Sequence, residues 1–287
     1  MQLPTKLAQH LQALRADAKQ SRLQLAAHAG LDRATIAALE TGSGTLASLR
    51  RVAEALGYYV TPWPSALANK RKWLGIGTRS LAKAAGITRP TLQALELSGA
   101  GRLRTFEAVC SALGETAKLR PLEATWSTPE TLVSAVLNGL AIKRFCLDPC
   151  SPHQPTIPCE HHFTERDGSL WLPWRGDYIW CNPPYDQMPA FTAKMLEEFA
   201  DGRAHRIISL IPYEPRTASW RATIDSAAVI LILEKRLKFG GRASTLGSPS
   251  AFALWGFALS EVDGLSAALP AHHRAVFSRN ALDQAGV

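Results

Sequence analysis

The chain has 287 residues, of which 46% are hydrophobic, and carries a formal net charge of +8 at pH 7. This length favours more than one domain with its own core, and the positive charge favours a polyanionic partner such as nucleic acid. No apolar run approaches the roughly 18 residues that a membrane helix needs, and Met1 to Gln12 lack a secretory pattern. The odd number of cysteines, 5, argues against a disulfide framework. We therefore expect a cytoplasmic protein with reduced thiols and no membrane partner.

The first third of the chain contains an internal repeat. Leu25–Glu40, LAAHAGLDRATIAALE, recurs as Leu81–Glu96, LAKAAGITRPTLQALE, and the matches continue as far as Gly57 and Gly114. A fixed offset that is kept over this length indicates a duplication. We call the two segments copy one and copy two, and predict a domain over residues 1–62 and a second over residues 63–119.

Each copy predicts two short helices joined by a tight turn and followed by a third helix. Gly30 and Gly86 mark the turn, and Asp32 and Thr88 are good amino-terminal caps for the second helix. The third helix is amphipathic and ends at a glycine. This order resembles the Xre/Cro-type repressor fold, a DNA-binding helix-turn-helix fold.

Arg33 and Arg89 occupy the same position at the start of the second helix in the two copies. In the fold that the copies resemble, residues at this position reach base edges in the major groove, and arginine suits guanine. Gln93 is a further polar candidate, so the resemblance implies double-stranded DNA as a partner with few base contacts. Phosphate contacts are expected from Arg50, Arg51, Arg102, Arg104 and the run Lys70-Arg71-Lys72. Alternatively, these helices pack against the rest of the protein or another subunit, and the basic run is a solvated face.

From about residue 120 onward the pattern changes to alternating strands and helices. Thr128-Pro129-Glu130 predicts the start of a helix, with Thr128 as its cap and Pro129 at its first position. The alternation predicts an open, doubly wound α/β sheet over residues 120–287. Strands are predicted at Arg144–Leu147, Tyr178–Cys181, Ile207–Ile211, Ala228–Leu233 and Phe252–Phe257, with a helix at Met188–Phe199.

The tetrapeptide Asn182-Pro183-Pro184-Tyr185 directly follows the predicted strand Tyr178–Cys181. It is therefore expected at the carboxyl edge of the sheet. Because the prolines keep this stretch stiff and extended, the Asn182 side-chain oxygen and the Pro183 carbonyl can both accept from one exocyclic amino group. Tyr185 offers a ring face for a planar base. This chemistry suits methylation of an amino group on a flat system.

The order of segments around this tetrapeptide resembles the phage-type DNA adenine N6-methyltransferase (Dam) family. The resemblance implies a Rossmann-like sheet, S-adenosylmethionine as methyl donor and adenine in DNA as acceptor, with Asn182, Pro183, Pro184 and Tyr185 as the catalytic turn. The segments that carry it are Trp126-Ser127-Thr128-Pro129, Leu147-Asp148-Pro149-Cys150, Phe163-Thr164-Glu165-Arg166-Asp167-Gly168, Asn182-Pro183-Pro184-Tyr185, Leu210-Ile211-Pro212, Arg236-Leu237-Lys238-Phe239 and Pro249-Ser250-Ala251.

The same resemblance implies a donor site in the segments before the tetrapeptide. Thr128, with the amide groups of a helix start, would bind the donor carboxylate. Asp148 would take the donor ammonium or ribose hydroxyls, and Asp167 would accept from the donor adenine. The residues alone leave a plain helix cap and turn chemistry open at these positions. The implied cofactor-binding residues are Thr128, Pro129, Asp148, Pro149, Cys150 and Asp167.

The loop of residues 240–250 carries Arg242 and is expected to touch DNA close to the catalytic turn. A zinc site is not predicted, because the spacing of Cys146, Cys150 and Cys159 fits no standard pair of zinc-binding cysteines. Buried thiols are commonly structural.

Two rival functions remain open at this point. One is a transcriptional regulator whose methylase-like half is inactive, and the other is an amino-methyltransferase that acts on RNA or on a protein amide. The recognition sequence, the oligomeric state and a restriction nuclease partner do not follow from these patterns.

Overall fold

The protein is described by a computed structural model that covers residues 5–122, 128–227, 229–233, 237 and 249–269, with the backbone alone of 273–277. Its contacts divide the chain into two compact units. Met1–Ala124 with Glu165–Leu172 form the first unit, and Thr125–Thr164 with Pro173–Val287 form the second. Arg242, predicted to touch DNA, lies outside the described residues. No helix within the described ranges is both long and apolar enough to cross a membrane.

The first unit is helical apart from one two-stranded sheet. Both copies of the repeat lie in it and share one hydrophobic core, to which copy one contributes Leu25 and Ile36 and copy two contributes Leu81 and Leu92. The helices are α1 (Lys6–Asp17), α2 (Arg22–Ala29), α3 (Arg33–Glu40), α4 (Leu46–Ala55), α5 (Pro64–Trp73), α6 (Thr78–Ala84), α7 (Arg89–Ser98) and α8 (Leu103–Ala112), and the strands are β1 (Tyr58–Thr61) and β2 (Lys118–Pro121).

The predicted caps and turns of the two copies are confirmed. The carboxylate of Asp32 accepts from the backbone N–H three residues later (2.6 Å) and caps α3, and the hydroxyl of Thr88 does the same for α7 (3.3 Å). Gly30 and Gly86 have φ angles of 61° and 65°. Glycine adopts this left-handed conformation without the steric cost that a side chain brings, so each turn can be tight.

One ion pair is repeated in both copies. Arg15 Nε lies 2.5 Å from Glu40 Oε1, and Arg71 Nε lies 2.7 Å from Glu96 Oε1. Both arginines also donate to the backbone carbonyl five residues further on. Since Glu40 is 4% exposed, loss of its partners would leave a buried charge, which costs about 3–5 kcal/mol.

The expected phosphate contact of Arg71 is wrong. Its guanidinium is buried and its charge is neutralised by Glu96 inside the first unit. Lys70, its neighbour in the basic run, is also paired, with Nζ 2.5 Å from Glu115 Oε1. Lys72 is exposed. Much of this run therefore stabilises the helical unit rather than facing solvent.

The segment Glu165–Leu172 folds with the first unit although it lies between two strands of the second in sequence. Asn69 Nδ2 donates to the Asp167 carbonyl (2.9 Å). The guanidinium groups of Arg50 and Arg166 each lie 4.3 Å from the centroid of the Trp63 ring. Each cation–π contact of this kind contributes about 0.5–1 kcal/mol or more when desolvated, so side chains as well as backbone hold the segment on α5.

The second unit confirms the predicted α/β class. Its sheet has seven strands among the described residues, in the order β4-β3-β5-β6-β8-β7-β9. The helices are α9 (Glu130–Gly139), α10 (Met188–Ala200), α11 (Ala218–Ser226) and α12 (Leu259–Ala268), and the strands are β3 (Phe145–Asp148), β4 (Cys159–His162), β5 (Gly176–Cys181), β6 (Ala204–Pro212), β7 (Val229–Leu233), β8 (Ser250–Trp255) and β9 (His273–Phe277).

Among the described strands the sheet is mixed, with three parallel pairs and three antiparallel pairs that include β7–β9, and it is covered on both faces. The pairs β3–β4, β3–β5 and β5–β6 are parallel, and β8 pairs antiparallel with both β6 and β7. Since successive residues of a strand face opposite sides, a strand with every residue buried is covered on both. This holds for 207–211 of β6 and for all of β8, as in other sheets with helices on each face.

Helices α9 and α12 cross at a pair of glycines. A Cβ built on Gly264 would lie 2.3 Å from the backbone oxygen of Gly139, and one built on Gly139 would lie 2.8 Å from the backbone oxygen of Gly264. The close approach fixes α9, the helix that follows Thr128, against the rest of the unit. Backbone atoms cannot rotate away from an added side chain.

We expect Gly264→Ala to lower the free energy of unfolding by about 1–3 kcal/mol, because the new methyl group overpacks the crossing. Urea denaturation monitored by circular dichroism measures the change. Asp263→Ala, at an exposed position of the same helix, is the control and should change stability by less than about 0.5 kcal/mol. Equal stability of the two variants would contradict the close helix crossing.

Candidate active site

The strand order of the second unit reverses between β3 and β5. Strand β3 pairs with β4 on one side and with β5 on the other side. Because these strands are parallel, their carboxyl ends meet at one edge, and a crevice forms where the order reverses. Asp148 ends β3, and Asn182 directly follows β5. The sheet therefore brings these two predicted site residues to the same edge.

Asp148 is a buried carboxyl at this edge, with 2% of its surface exposed. Its Oδ1 accepts from the backbone N–H of Cys150 (2.9 Å). Burial raises the pKa of Asp148 from 3.8 to about 7, although the hydrogen bonds from Cys150 and Ser151 act in the opposite direction. A buried carboxylate of this kind is completed by a cation or by hydroxyl donors.

The loop after β3 is held by backbone and thiol contacts. The Phe163 N–H donates to the Asp148 carbonyl (2.9 Å), and the Ser151 N–H donates to the Phe163 carbonyl (3.0 Å). The thiol sulfurs of Cys150 and Cys181 lie 3.6 Å apart. Cys181 is the last residue of β5, so this contact connects the loop after Asp148 to the residue that precedes Asn182.

Asn182 is half-buried and is oriented by Thr128. Its Nδ2 donates to the Thr128 hydroxyl oxygen over 3.1 Å. Because the amino group of the amide is directed at Thr128, the position of its carbonyl oxygen is also set, since both lie in one plane. The amide thus presents a fixed acceptor at the carboxyl end of β5.

The expectation that Thr128 caps a helix is wrong. Helix α9 begins at Glu130 with Pro129 as its N-cap residue and without a side-chain cap. The backbone carbonyl of Pro129 accepts from Leu132 and Val133 and starts the helix. Thr128 lies one residue too early to cap, and its buried hydroxyl contacts Asn182 instead.

The rest of the tetrapeptide is extended and then turns into a helix. Pro183 is buried and Pro184 is exposed, with φ −58° and ψ 123° at Pro184. Tyr185 opens a short 3-10 helix, Tyr185–Gln187, which leads into α10. Burial raises the pKa of the Tyr185 hydroxyl to about 12, so the ring is uncharged at neutral pH.

Four of the remaining predicted residues belong to the first unit. Asp167 belongs to the first unit, where its carbonyl accepts from Asn69, and its contact with the donor stays a prediction. Arg33, Arg89 and Gln93 also lie in the first unit, on the exposed surfaces of α3 and α7. Arg242 lies outside the described part of the chain.

Two further aromatic residues of the second unit, Phe191 and Trp220, are core residues. Phe191 and Trp220 are each 5% exposed. The Phe191 ring packs against Trp174, with centroids 6.2 Å apart, and the Trp220 ring packs edge-on against Tyr213 at 4.9 Å. In the described ranges, no three His, Cys, Asp or Glu side chains are grouped closely enough to hold a metal ion.

Two residues at this edge were not predicted from the sequence, Cys181 and Ser151. Cys181 contacts Cys150, and Ser151 contacts Asp148. Cys181 lies directly before the tetrapeptide, but no motif connects it with Cys150, 31 residues earlier. Only the adjacency of β3 and β5 places the two thiols side by side.

One protein-family model matches part of the chain. The model of the family described as DNA N-6-adenine-methyltransferase (Dam) matches residues 115–251. At family level, this is a DNA adenine N6-methyltransferase match. It spans a little under half of the chain and includes Thr128, Asp148 and the tetrapeptide. No curated protein and no solved structure matches the chain.

The burial of Asp148 predicts a pH dependence of stability. A carboxyl whose pKa rises from 3.8 unfolded to about 7 folded favours folding only while it keeps its proton, so its contribution is lost as pH rises from about 4 to 7. Asp148→Asn removes this titration. Between pH 5 and pH 8 the stability of the variant relative to the wild type should rise by on the order of 2 kcal/mol.

Urea unfolding at several pH values measures this difference in ligand-free protein. Asn138→Ala, at an exposed position in the second unit, removes no titratable group and is the control, so it should give a nearly constant difference. A constant difference for Asp148→Asn as well would show that the folded carboxyl titrates normally.

Proposed function

We propose that the second unit transfers a methyl group from S-adenosylmethionine to the N6 amino group of adenine in double-stranded DNA, and that the first unit delivers it to DNA. The observation that carries this proposal is the orientation of Asn182 by Thr128, at the edge where β3 and β5 end, inside the region that matches the family. The family-level match supports the acceptor, and the geometry supplies the physical reasons below.

The donor is assigned to the β3 side of the crevice. Asp148 fits an ammonium group or ribose hydroxyls, because its carboxyl is buried and its raised pKa falls when a cation or donors compensate the charge. The loop formed by Pro149 and Cys150 gives this side a fixed wall. The donor supplies an electrophilic methyl group on a sulfonium when bound.

The acceptor is assigned to the tetrapeptide. The lone pair of an aromatic amine is delocalised into its ring, which makes the nitrogen a poor nucleophile. Hydrogen bonds from its two protons to the Asn182 side-chain oxygen and to the Pro183 carbonyl favour a tetrahedral nitrogen and direct the lone pair to one side. Tyr185 supplies an uncharged ring against which an extruded base can stack, which offsets part of the few kcal/mol that extrusion costs.

Delivery to DNA is assigned to α3 and α7 of the first unit. Arg33, Arg89 and Gln93 are exposed near the start of these helices, where a helix that enters the major groove makes its base contacts. Of the basic residues expected at phosphates, Arg102 is exposed, whereas Arg51 donates to the Gly30 carbonyl (2.7 Å). A second binding module on the same chain raises the effective concentration of the catalytic unit at DNA.

The direct test is Asn182→Ala. We expect methyl transfer to DNA to fall at least about 100-fold, because the main acceptor for the amino group is lost, while binding of the donor stays close to that of the wild type. Transfer of a labelled methyl group to DNA measures activity, and calorimetry measures donor binding.

Asn182→Asp is the matched control, since it keeps an acceptor oxygen at the same position and should retain more activity than the alanine variant. The same assay offers RNA and protein as competing acceptors. Wild-type activity in Asn182→Ala, or preferred methylation of RNA or protein, would refute the proposal.

The contact between Thr128 and Asn182 generates a separate prediction. Thr128→Val removes the hydroxyl at nearly constant volume and should lower kcat by about 10- to 100-fold through misplacement of the amide, with little change in donor binding. Thr128→Ser keeps the hydroxyl and should restore most of kcat. Loss of donor affinity with unchanged kcat would instead indicate that Thr128 binds the donor carboxylate, as the sequence resemblance implies.

A further inference from the structure

The two copies of the repeat contact each other through equivalent residues. An antiparallel bridge joins Thr45 to Arg102. It is closed by two hydrogen bonds of 2.9 Å, from the Leu46 N–H to the Gly101 carbonyl and from the Leu103 N–H to the Gly44 carbonyl. Counterparts in the two copies are here 57 residues apart in sequence, as Gly44 and Gly101, Thr45 and Arg102, and Leu46 and Leu103 are. Thr45 thus meets its own counterpart, and exchanging the copies turns one hydrogen bond into the other. A contact of this kind is isologous, as in a two-fold symmetric dimer.

The strands that follow the two copies make a second contact of the same kind. Strand β1 follows the last helix of copy one, and β2 follows the last helix of copy two. They pair antiparallel, Tyr58 with Pro121 and Thr61 with Lys118. Thr61 and Lys118 are again 57 residues apart, so the ladder includes a pair at the same offset as Thr45 and Arg102. An approximate dyad therefore relates the two copies within one chain.

The dyad places the carboxyl ends of α3 and α7 near its axis. Each helix is followed within a few residues by its half of the bridge. Arg104 of copy two donates to the carbonyl of Thr41, which ends α3 (3.3 Å). Arg50 of copy one lies against Gly99, which ends α7, since a Cβ there would be 2.9 Å from Arg50 Nη1.

The amino ends of both helices consequently point away from the axis. Arg33 and Arg89 are the first residues of α3 and α7, which have 8 and 10 residues. At 1.5 Å per residue these helices are about 12 and 15 Å long. With one strand spacing between them, of about 5 Å, the two starts can lie as far as roughly 30 Å apart. This span approaches the ~34 Å between successive major grooves on one face of DNA.

We propose that a single chain binds a two-part DNA site with approximate dyad symmetry, in which α3 reads one half and α7 reads the other. The inference rests on the proposed binding of DNA by the first unit, and it specifies the form of the site. Ordinarily two separate chains supply such a pair of helices. Here the duplication supplies both, and the linkage fixes their separation.

The two halves of the site should differ in sequence. The helix starts share an arginine, Arg33 and Arg89, but copy two carries Gln93 where copy one carries Ala37. Gln93 is exposed and can pair with adenine through both ends of its amide. We therefore expect a guanine contact in both halves and an adenine preference in the α7 half alone.

Selection of bound duplexes from a random library by the full chain, without methyl donor, tests the proposal. We expect two short motifs in inverted orientation about one DNA turn apart, with one chain bound per duplex by native mass spectrometry. Arg33→Ala should weaken the base preference of one half by about 5- to 100-fold, and Arg89→Ala that of the other half.

Lys83→Ala is the control, since it removes an exposed charge of α6 and should weaken binding to all sequences equally. The proposal is overturned by a single unpaired motif, by two chains on one site, by loss of preference in the same half for both arginine variants, or by the absence of any preference. The result is independent of catalysis, because Asn182→Ala should select the same site even if the assigned methyl transfer is absent.

Discussion

The parallel pairing of β5 beside β3 is the constraint on which the candidate site depends. Strands that run in one direction end at one edge, and the reversal of strand order there leaves a crevice. Asp148 and Asn182 lie at this edge because each directly follows, or ends, one of the two strands. The buried carboxyl, the contact between the thiols of Cys150 and Cys181 and the oriented amide all follow from that adjacency.

The helical unit shows a second constraint, which is the duplication of one helical pattern around a dyad. The ion pair of Arg15 with Glu40 recurs as Arg71 with Glu96, so part of the positive charge of the chain is neutralised internally. The net charge of +8 is therefore a poor guide to which cations face a polyanion. The exposed arginines at the starts of α3 and α7 are better candidates because their positions are repeated and accessible.

The boundary between the units does not follow a single cut in the sequence. The family match begins at residue 115, before β2, which pairs with β1 in the first unit. Within the matched region, Glu165–Leu172 also folds with the first unit, through α5 and the Trp63 ring. Deletion of residues 1–119 would remove the partners of this segment. Single substitutions therefore test the roles of the two units more cleanly.

Local patterns in the sequence determined the helix caps at Asp32 and Thr88, the turns at Gly30 and Gly86, most strands of the α/β sheet and the position of Asn182-Pro183-Pro184-Tyr185 after a strand. These features depend on residues a few positions apart, whose spacing the sequence displays directly. Only the tertiary structure decided that Thr128 contacts Asn182, 54 residues away, that Arg71 is buried, and that Asp167 folds with the helices. Such contacts depend on which strands and helices become neighbours, and pairing across long sequence separations leaves no local periodicity from which it could be predicted.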